Sequence, residues 1–157
     1  MIKLIDLIKE ITLPIENYKG DLSQFDGFKN HNISDVLNKL NSNQKIDLKI
    51  GKVKVEGELA YLLLADDIII AALSIDEKTG QVKSAETHSL LRGKGYADIL
   101  YTSVNDDFYR NKKLHLKSDN LLSPDAIRFW DGLVRKGKAK VIGKSTVRNH
   151  NIYKMLE

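Results

Sequence analysis

Along this chain the apolar positions change their period twice. Leu4, Ile5, Ile8 and Ile11 recur at helical spacing ahead of Pro14 and predict a first helix over residues 2–13. Residues 18–32 are rich in Gly, Asn and Asp and read as loop. Ile33, Val36, Leu37 and Leu40 then mark one face of a short helix, closed by Asn41-Ser42-Asn43-Gln44. From Ile46 the period falls to two. Ile46, Leu48 and Ile50 alternate with polar residues, as do Val53 and Val55, and Gly51 between them reads as a turn or bulge. Two apolar runs, 59–65 and 68–75, meet at Asp66-Asp67, a pair suited to a tight hairpin turn. Lys78-Thr79-Gly80 makes a further turn before a strand over 81–88. The middle of the chain is thus expected to be an antiparallel meander, with apolar runs that suggest cover on both faces.

The helical period returns after a glycine-rich break. Ala97, Leu100, Tyr101, Val104 and Phe108 share one helical face, and residues 113–117 read as a short strand around Leu114 and Leu116. The next helix is well signed: Ser123 can cap it, Pro124 suits its first position, and Ala126, Ile127, Trp130, Leu133 and Val134 form its apolar stripe. Gly137 can end it in a left-handed conformation. Residues 139–147 are expected as a last strand, and residues 149–157 carry no assignment. The order predicts one α/β (α+β) domain over 1–157, a mixed, mostly antiparallel sheet flanked by helices. Residues 1–45 form a helical N-terminal part and 46–147 the core.

Composition narrows the chemistry. The 157 residues, 42% hydrophobic and 29% charged, suit an ordinary globular domain and no disordered or fibrous class. With no cysteine, disulfides, thiolate metal sites and cysteine nucleophiles are excluded. His31, His88, His115 and His150 make no ligand spacing, so no metal is expected. The apolar N-terminus is broken by charge every few residues, which argues against a secretory signal or membrane span and for a cytoplasmic protein. Its helix is expected to pack on the sheet or to serve as a homodimer contact. The net charge of +4 favours anionic ligands without separating them. The basic run over 135–144 carries no interleaved aromatics, reads as a solvated face, and gives nucleic acid little support.

The glycine-rich break is Arg92-Gly93-Lys94-Gly95-Tyr96-Ala97, lying between a strand and a helix. The first turn of a helix offers free N–H groups and partial positive charge. Glycines ahead of it let a phosphate approach the main chain, and Arg92 and Lys94 add cationic support. Two other glycine motifs do not fit. A dinucleotide fingerprint needs a third spaced glycine where Ala97 stands, and Gly143-Lys144-Ser145 has Lys138 in place of the first Walker glycine and strand-like residues after it.

The segment resembles motif A of the GCN5-related N-acetyltransferases, (Arg/Gln)-x-x-Gly-x-(Gly/Ala), which Arg92, Gly95 and Ala97 satisfy. Ala126-Ile127-Arg128-Phe129-Trp130-Asp131-Gly132-Leu133 is similar to the family's motif B. The resemblance covers about residues 46–147, with residues 1–45 as the family's variable start, and implies a GNAT-like acyl-CoA N-acyltransferase fold. It also implies an enzyme that moves an acetyl group from acetyl-CoA to an amine acceptor by direct attack. By the same resemblance the amides of Gly93, Lys94, Gly95, Tyr96 and Ala97, with Arg92, would hold the pyrophosphate. The pantetheine arm would pair with the main chain near Ala85 and Thr87. Asn120, Ser123, Ala126 and Phe129 would line the far side of the groove.

For the chemistry, Glu86 and His88 are the nearest titratable groups and the candidate bases, against the plainer reading that both are solvated or ion-paired strand residues. Alternation puts them on the opposite side from Lys83, Ala85 and Thr87. Tyr96 and Tyr101 are candidate proton donors, Tyr101 also reading as core. The family often has a tyrosine general acid where Trp130 stands, and the loop over 120–125 is longer than its usual spacing. The acid must therefore come from elsewhere, from water, or be missing. The alternative reading is a catalytically weak or inactive accessory protein with this fold, binding a protein or nucleic acid.

Overall fold

A computed structural model describes residues 12–20 and 33–156 of the chain, so the first predicted helix and most of the loop over 18–32 lie outside the described residues. The elements are β1 (Ile15–Asn17), α1 (Ser34–Asn41), β2 (Leu48–Val55), β3 (Glu58–Ala65), β4 (Ile68–Asp76) and β5 (Val82–Thr87). A 3-10 turn (Ser89–Leu91), α2 (Tyr96–Lys112), α3 (Pro124–Arg135), β6 (Ala139–Lys144) and β7 (Asn151–Met155) follow. β1 to β5 form one sheet in chain order, and β6 and β7 form a second. β1 runs parallel to β2, and every other strand pair is antiparallel. The expected α/β class, with a mixed and mostly antiparallel sheet, is what the chain adopts.

Local chemistry explains the meander. Glu56-Gly57 and Asp66-Asp67 all take positive φ, 49° and 84° in the first pair, 48° and 66° in the second. Two successive left-handed residues twist a hairpin in the sense of its strands. Gly51 corrects the expectation of a turn: β2 runs straight through it. A Cβ there would stand 2.9 Å from the Tyr18 Cβ, so the glycine makes room for a ring lying on the strand.

The main core joins Ile50, Leu63, Leu73 and Ile75 of the sheet to Ile99, Leu100, Val104 and Phe108 of α2 and Trp130 and Leu133 of α3. Each such side chain contributes about 1.5–3 kcal/mol relative to exposure. On the opposite sheet face Leu62, Leu64 and Ile69 form a smaller buried cluster, so β3 is covered on both faces as its unbroken apolar run predicts. α3 is capped as expected: the Ser123 Oγ accepts from the Ala126 N–H at 3.1 Å, Pro124 opens the helix, and Gly137 follows its end at φ 75°.

Two departures shape the molecule. Residues 149–157, unassigned from sequence, supply β7, and Tyr153 and Met155 are buried, so the packed core runs past residue 147. The strand expected over 113–117 shrinks to bridges at Lys117, parallel to Gln81 and antiparallel to Lys154. Asn105 fixes this junction from within α2. Its Oδ1 accepts from the Leu116 N–H and its Nδ2 donates to the Leu156 carbonyl, both at 2.9 Å. The two sheets therefore meet at one place.

Candidate acyl-CoA site

Among the described residues, main-chain bonds tie the start of β5 to the segment after Leu116 at that meeting point alone. Lys117 N–H donates to the Gly80 carbonyl at 3.0 Å and Val82 N–H to the Lys117 carbonyl at 2.9 Å. Beyond them Ser118 N–H turns to the Tyr153 carbonyl, and among the described residues no further main-chain bond joins the two chains. They part, and among the described residues no strand pairs with the outer edge of β5. His88 N–H donates to the Ile70 carbonyl, so antiparallel alternation aims the main-chain groups of Ala85 and Thr87 away from β4 and towards the opening.

At the end of this open edge lies the glycine segment. Gly93 (φ 75°) and Gly95 (φ 90°) are both left-handed, and Gly95 is the N-cap of α2. A Cβ on Gly93 would meet nothing within 4 Å, so the space before the helix is open. Ile99 N–H makes a helical bond to the Gly95 carbonyl at 3.2 Å. The amides of the preceding turn have no acceptor within the helix. Arg92 and Lys94 are exposed beside them. The Arg92 Nε also donates to the Thr87 carbonyl at 3.2 Å, tying the loop to the strand end and leaving the Thr87 N–H and the Ala85 groups as the open edge.

Sequence reasoning missed Asp98 and its partners. Its carboxylate sits buried in the first turn of α2, with the Lys136 and Lys138 ammoniums at 2.7 and 2.5 Å and the Thr102 hydroxyl at 3.3 Å. The basic run over 135–144, expected as a solvated face, thus places two of its lysines on a buried acid. Burial alone would push the Asp98 carboxyl up, but the hydrogen bonds from Lys136 and Lys138 outweigh it and hold it below the usual carboxylate range. Two cations against one anion also leave the helix start net positive, as an anion site needs. The sequence signal was an aspartate in the first turn, which helices favour for their dipole alone.

This pair yields a pH prediction. A carboxyl whose folded pKa is depressed adds stability above its unfolded pKa of about 3.9, and loses it as pH falls through the folded value. Asp98→Asn is expected to cost about 2 kcal/mol at pH 7, below the full penalty for breaking a buried pair because both lysines reach water. Denaturant unfolding across pH 7 to 3 should show the difference between wild type and variant shrinking in acid.

The remaining candidates are placed as follows. Glu86 is exposed and pairs in register with Ala72 on the outer sheet face. His88 is buried at the start of the 3-10 turn, where its Nδ1 accepts from the Leu90 N–H at 3.2 Å. Asn120 accepts on its main-chain carbonyl from the Ser145 Oγ at 2.7 Å, in the segment that leaves β5. Ser123 is spent on its cap, and Ala126 and Phe129 are half-buried on α3. The Phe129 ring stands edge-on to Tyr101 at 4.6 Å, bringing α2 and α3 together on that side. Trp130 is 1% exposed, stacked on Tyr153 at 5.7 Å, and is a core wall. Tyr96 and Tyr101 are buried as well. Burial pushes the Tyr96 hydroxyl up to about 12 and the Tyr101 hydroxyl higher still.

A separate cavity of about 580 Å³ lies by β1 and β2, lined by Glu16, Tyr18, Lys49, Gly51, Leu64 and Asp67 among others. It includes no residue of the glycine segment. Among the described residues no group of histidines and carboxylates is arranged to hold a metal ion, and no helix is long and apolar enough to cross a membrane.

No family model matches this chain, and no curated protein matches it. Solved structures that are similar in part include three acyltransferases. The ribosomal-protein-S18-alanine N-acetyltransferase from Escherichia coli is 10% identical with a TM-score of 0.46, over 64% of this chain and 68% of its own. An acetyltransferase from Streptococcus agalactiae is 18% identical with a TM-score of 0.46, over the same shares. A chain described as an acyl-CoA N-acyltransferase from Klebsiella pneumoniae is 10% identical with a TM-score of 0.48, over 78% of this chain and 81% of its own. What the site can bind follows from its own amides, cations and open strand edge.

Proposed function

We propose that this protein is an acyltransferase that moves an acetyl group from acetyl-CoA to an amine. The observation that carries the reading is the left-handed Gly93 and Gly95, set at the start of α2 and at the end of a strand edge that has lost its partner. The amides of residues 93–97, with Lys94 and the outer nitrogens of Arg92, suit a pyrophosphate. The open groups of Ala85 and Thr87 suit an extended amide-bearing arm, which would add to β5 as a strand does. The Asn120–Phe129 side closes the far wall. Bound acetyl-CoA supplies the activated acyl carbon and a thiolate leaving group.

The chain's own part is to position the amine, take its proton and exclude competing water. His88 has the lone pair of Nδ1 committed to Leu90, so the base is Glu86, directly or through one water. A general acid is less needed than the missing tyrosine suggests. Thiols are far stronger acids than alcohols, the cysteine thiol ionising at about 8.5, so a thiolate can leave without prior protonation at neutral pH. Tyr96, held near 12, would be a weak donor, and water serves instead.

Glu86→Gln is expected to lower kcat about 10²-fold, the lower end for a lost general base, with acetyl-CoA affinity unchanged. The loss should diminish as pH rises towards the pKa of the acceptor amine, which then arrives neutral. Steady-state acyl transfer to a panel of amines, measured against pH, tests this. A parallel fall in acetyl-CoA affinity would place Glu86 in binding and remove it as the base.

A further inference from the structure

β6, β7 and the bridge at Lys117 place lysines side by side on the outer face of the sheet junction. Lys117 pairs with Lys154, and Lys154 with Lys140, so the three stand in one row across the strands. The Ser118–Tyr153 and Met155–Leu116 bonds that flank the first pair make it a non-hydrogen-bonded pair. In that geometry opposed side chains come closest, with Cα atoms about 4.5 Å apart, and like charges there are destabilising. Tyr153, Met155, Leu116, Ser118 and Ala139 are buried on the other face, so the row stands on the outer one. Among the described residues none of the three lysines has a carboxylate within ion-pairing distance. Lys83 extends the row through Gln81, and the nearby Asp119 is engaged by the Gln81 amide at 2.9 Å.

Solubility does not account for this row. Lysines guard free sheet edges, and Lys140 on β6 fits that use. Lys154 and Lys117 do not, because both have strand neighbours on each side. These lysines carry much of the excess on a chain whose net charge is +4; the carboxylates near them are Asp119, held by Gln81, and Asp76, which feels the charge of Lys83. Next to them β6 pairs only with β7 among the described residues, and its Val141 and Ile142 are 46% and 47% exposed. An edge with apolar side chains that no described residue pairs, beside Lys117, Lys140 and Lys154 with no carboxylate partner among the described residues, is complementary to an extended chain bearing carboxylates.

We propose that this surface docks an acidic, extended segment of a partner protein. The segment adds as a strand to the outer edge of β6, and its carboxylates reach Lys140 and Lys154. Nucleic acid fits less well, because none of the row residues or their register partners on this face is aromatic.

The test is fluorescence anisotropy with a labelled ten-residue peptide alternating glutamate and threonine. The wild type is expected to bind it, and the glutamine-for-glutamate peptide about tenfold or more weakly. Lys154→Gln should weaken binding about fivefold while raising Tm by about 1–3 °C without peptide, since it relieves the like-charge row. Lys154→Arg should keep the affinity. N-methylation of alternate peptide nitrogens should abolish binding, and excess CoA should leave the peptide bound. The proposal is overturned if Lys154→Gln binds as the wild type does, if N-methylation has no effect, if CoA displaces the peptide, or if a single-stranded oligonucleotide of equal charge binds more tightly with the same dependence on Lys154.

Discussion

The substitution Gly95→Val is expected to weaken acetyl-CoA binding about 10³-fold, the cost of two or so charge-assisted hydrogen bonds to phosphate. Two effects combine at this residue. Gly95 holds φ 90° at the N-cap of α2, a conformation that a β-branched side chain adopts only under strain of about 1–3 kcal/mol. A helix start that relaxes from this strain turns its amides away from the positions they share now. The valine also adds side-chain bulk to a segment whose neighbouring Gly93 has open space around its Cβ position. The fold itself should survive, because α2 is anchored further along by Val104, Asn105 and Phe108. Calorimetric titration with acetyl-CoA, alongside a thermal melt, reads both effects. A variant that melts normally and binds normally would show that the glycine segment is only a loop.

The second large effect concerns stability. Trp130→Ala is expected to cost about 3–5 kcal/mol in denaturant unfolding, a large share of the 5–15 kcal/mol that holds a typical domain together. Trp130 stacks on Tyr153 with planes 14° apart and meets Tyr101 edge-on at 5.5 Å, so it couples α3 to β7 and to α2. Its removal leaves a cavity among the rings of Tyr101, Phe129 and Tyr153, which cannot easily collapse. Trp130→Tyr should cost less and should not improve catalysis, because the position is enclosed by core rather than turned to the groove. A gain in acyl transfer from that variant would mean that the groove reaches position 130.

What could be read in the sequence was whatever is local. The meander, α2 and α3 are signed by period, by the Asp66-Asp67 turn and by the Ser123-Pro124 cap, and all of them form. The glycine segment was legible because strand, glycines and helix stand next to one another in the chain. What failed depends on distant partners. Gly51 looks like a turn until Tyr18 lies on it. β7 has five residues with little alternation of its own, and it forms because β6 and the Lys117 bridge supply its partners. Residues 113–117 look like a strand but become a junction, since the Asn105 side chain takes the Leu116 N–H that a ladder would use. Lys136 and Lys138 read as solvated charges because Asp98, about 40 residues earlier, is invisible to any local pattern. His88 was a reasonable base by type, and only the structure shows its Nδ1 turned back to Leu90.

The junction of β5 and α2 is the proposed acyl-CoA site. Titration of acetyl-CoA and of CoA into the wild-type protein, followed by calorimetry, tests it most directly. Saturable binding of both, at one site per chain and weakened by added pyrophosphate, is the predicted result. An absence of binding by either up to millimolar concentration would contradict it.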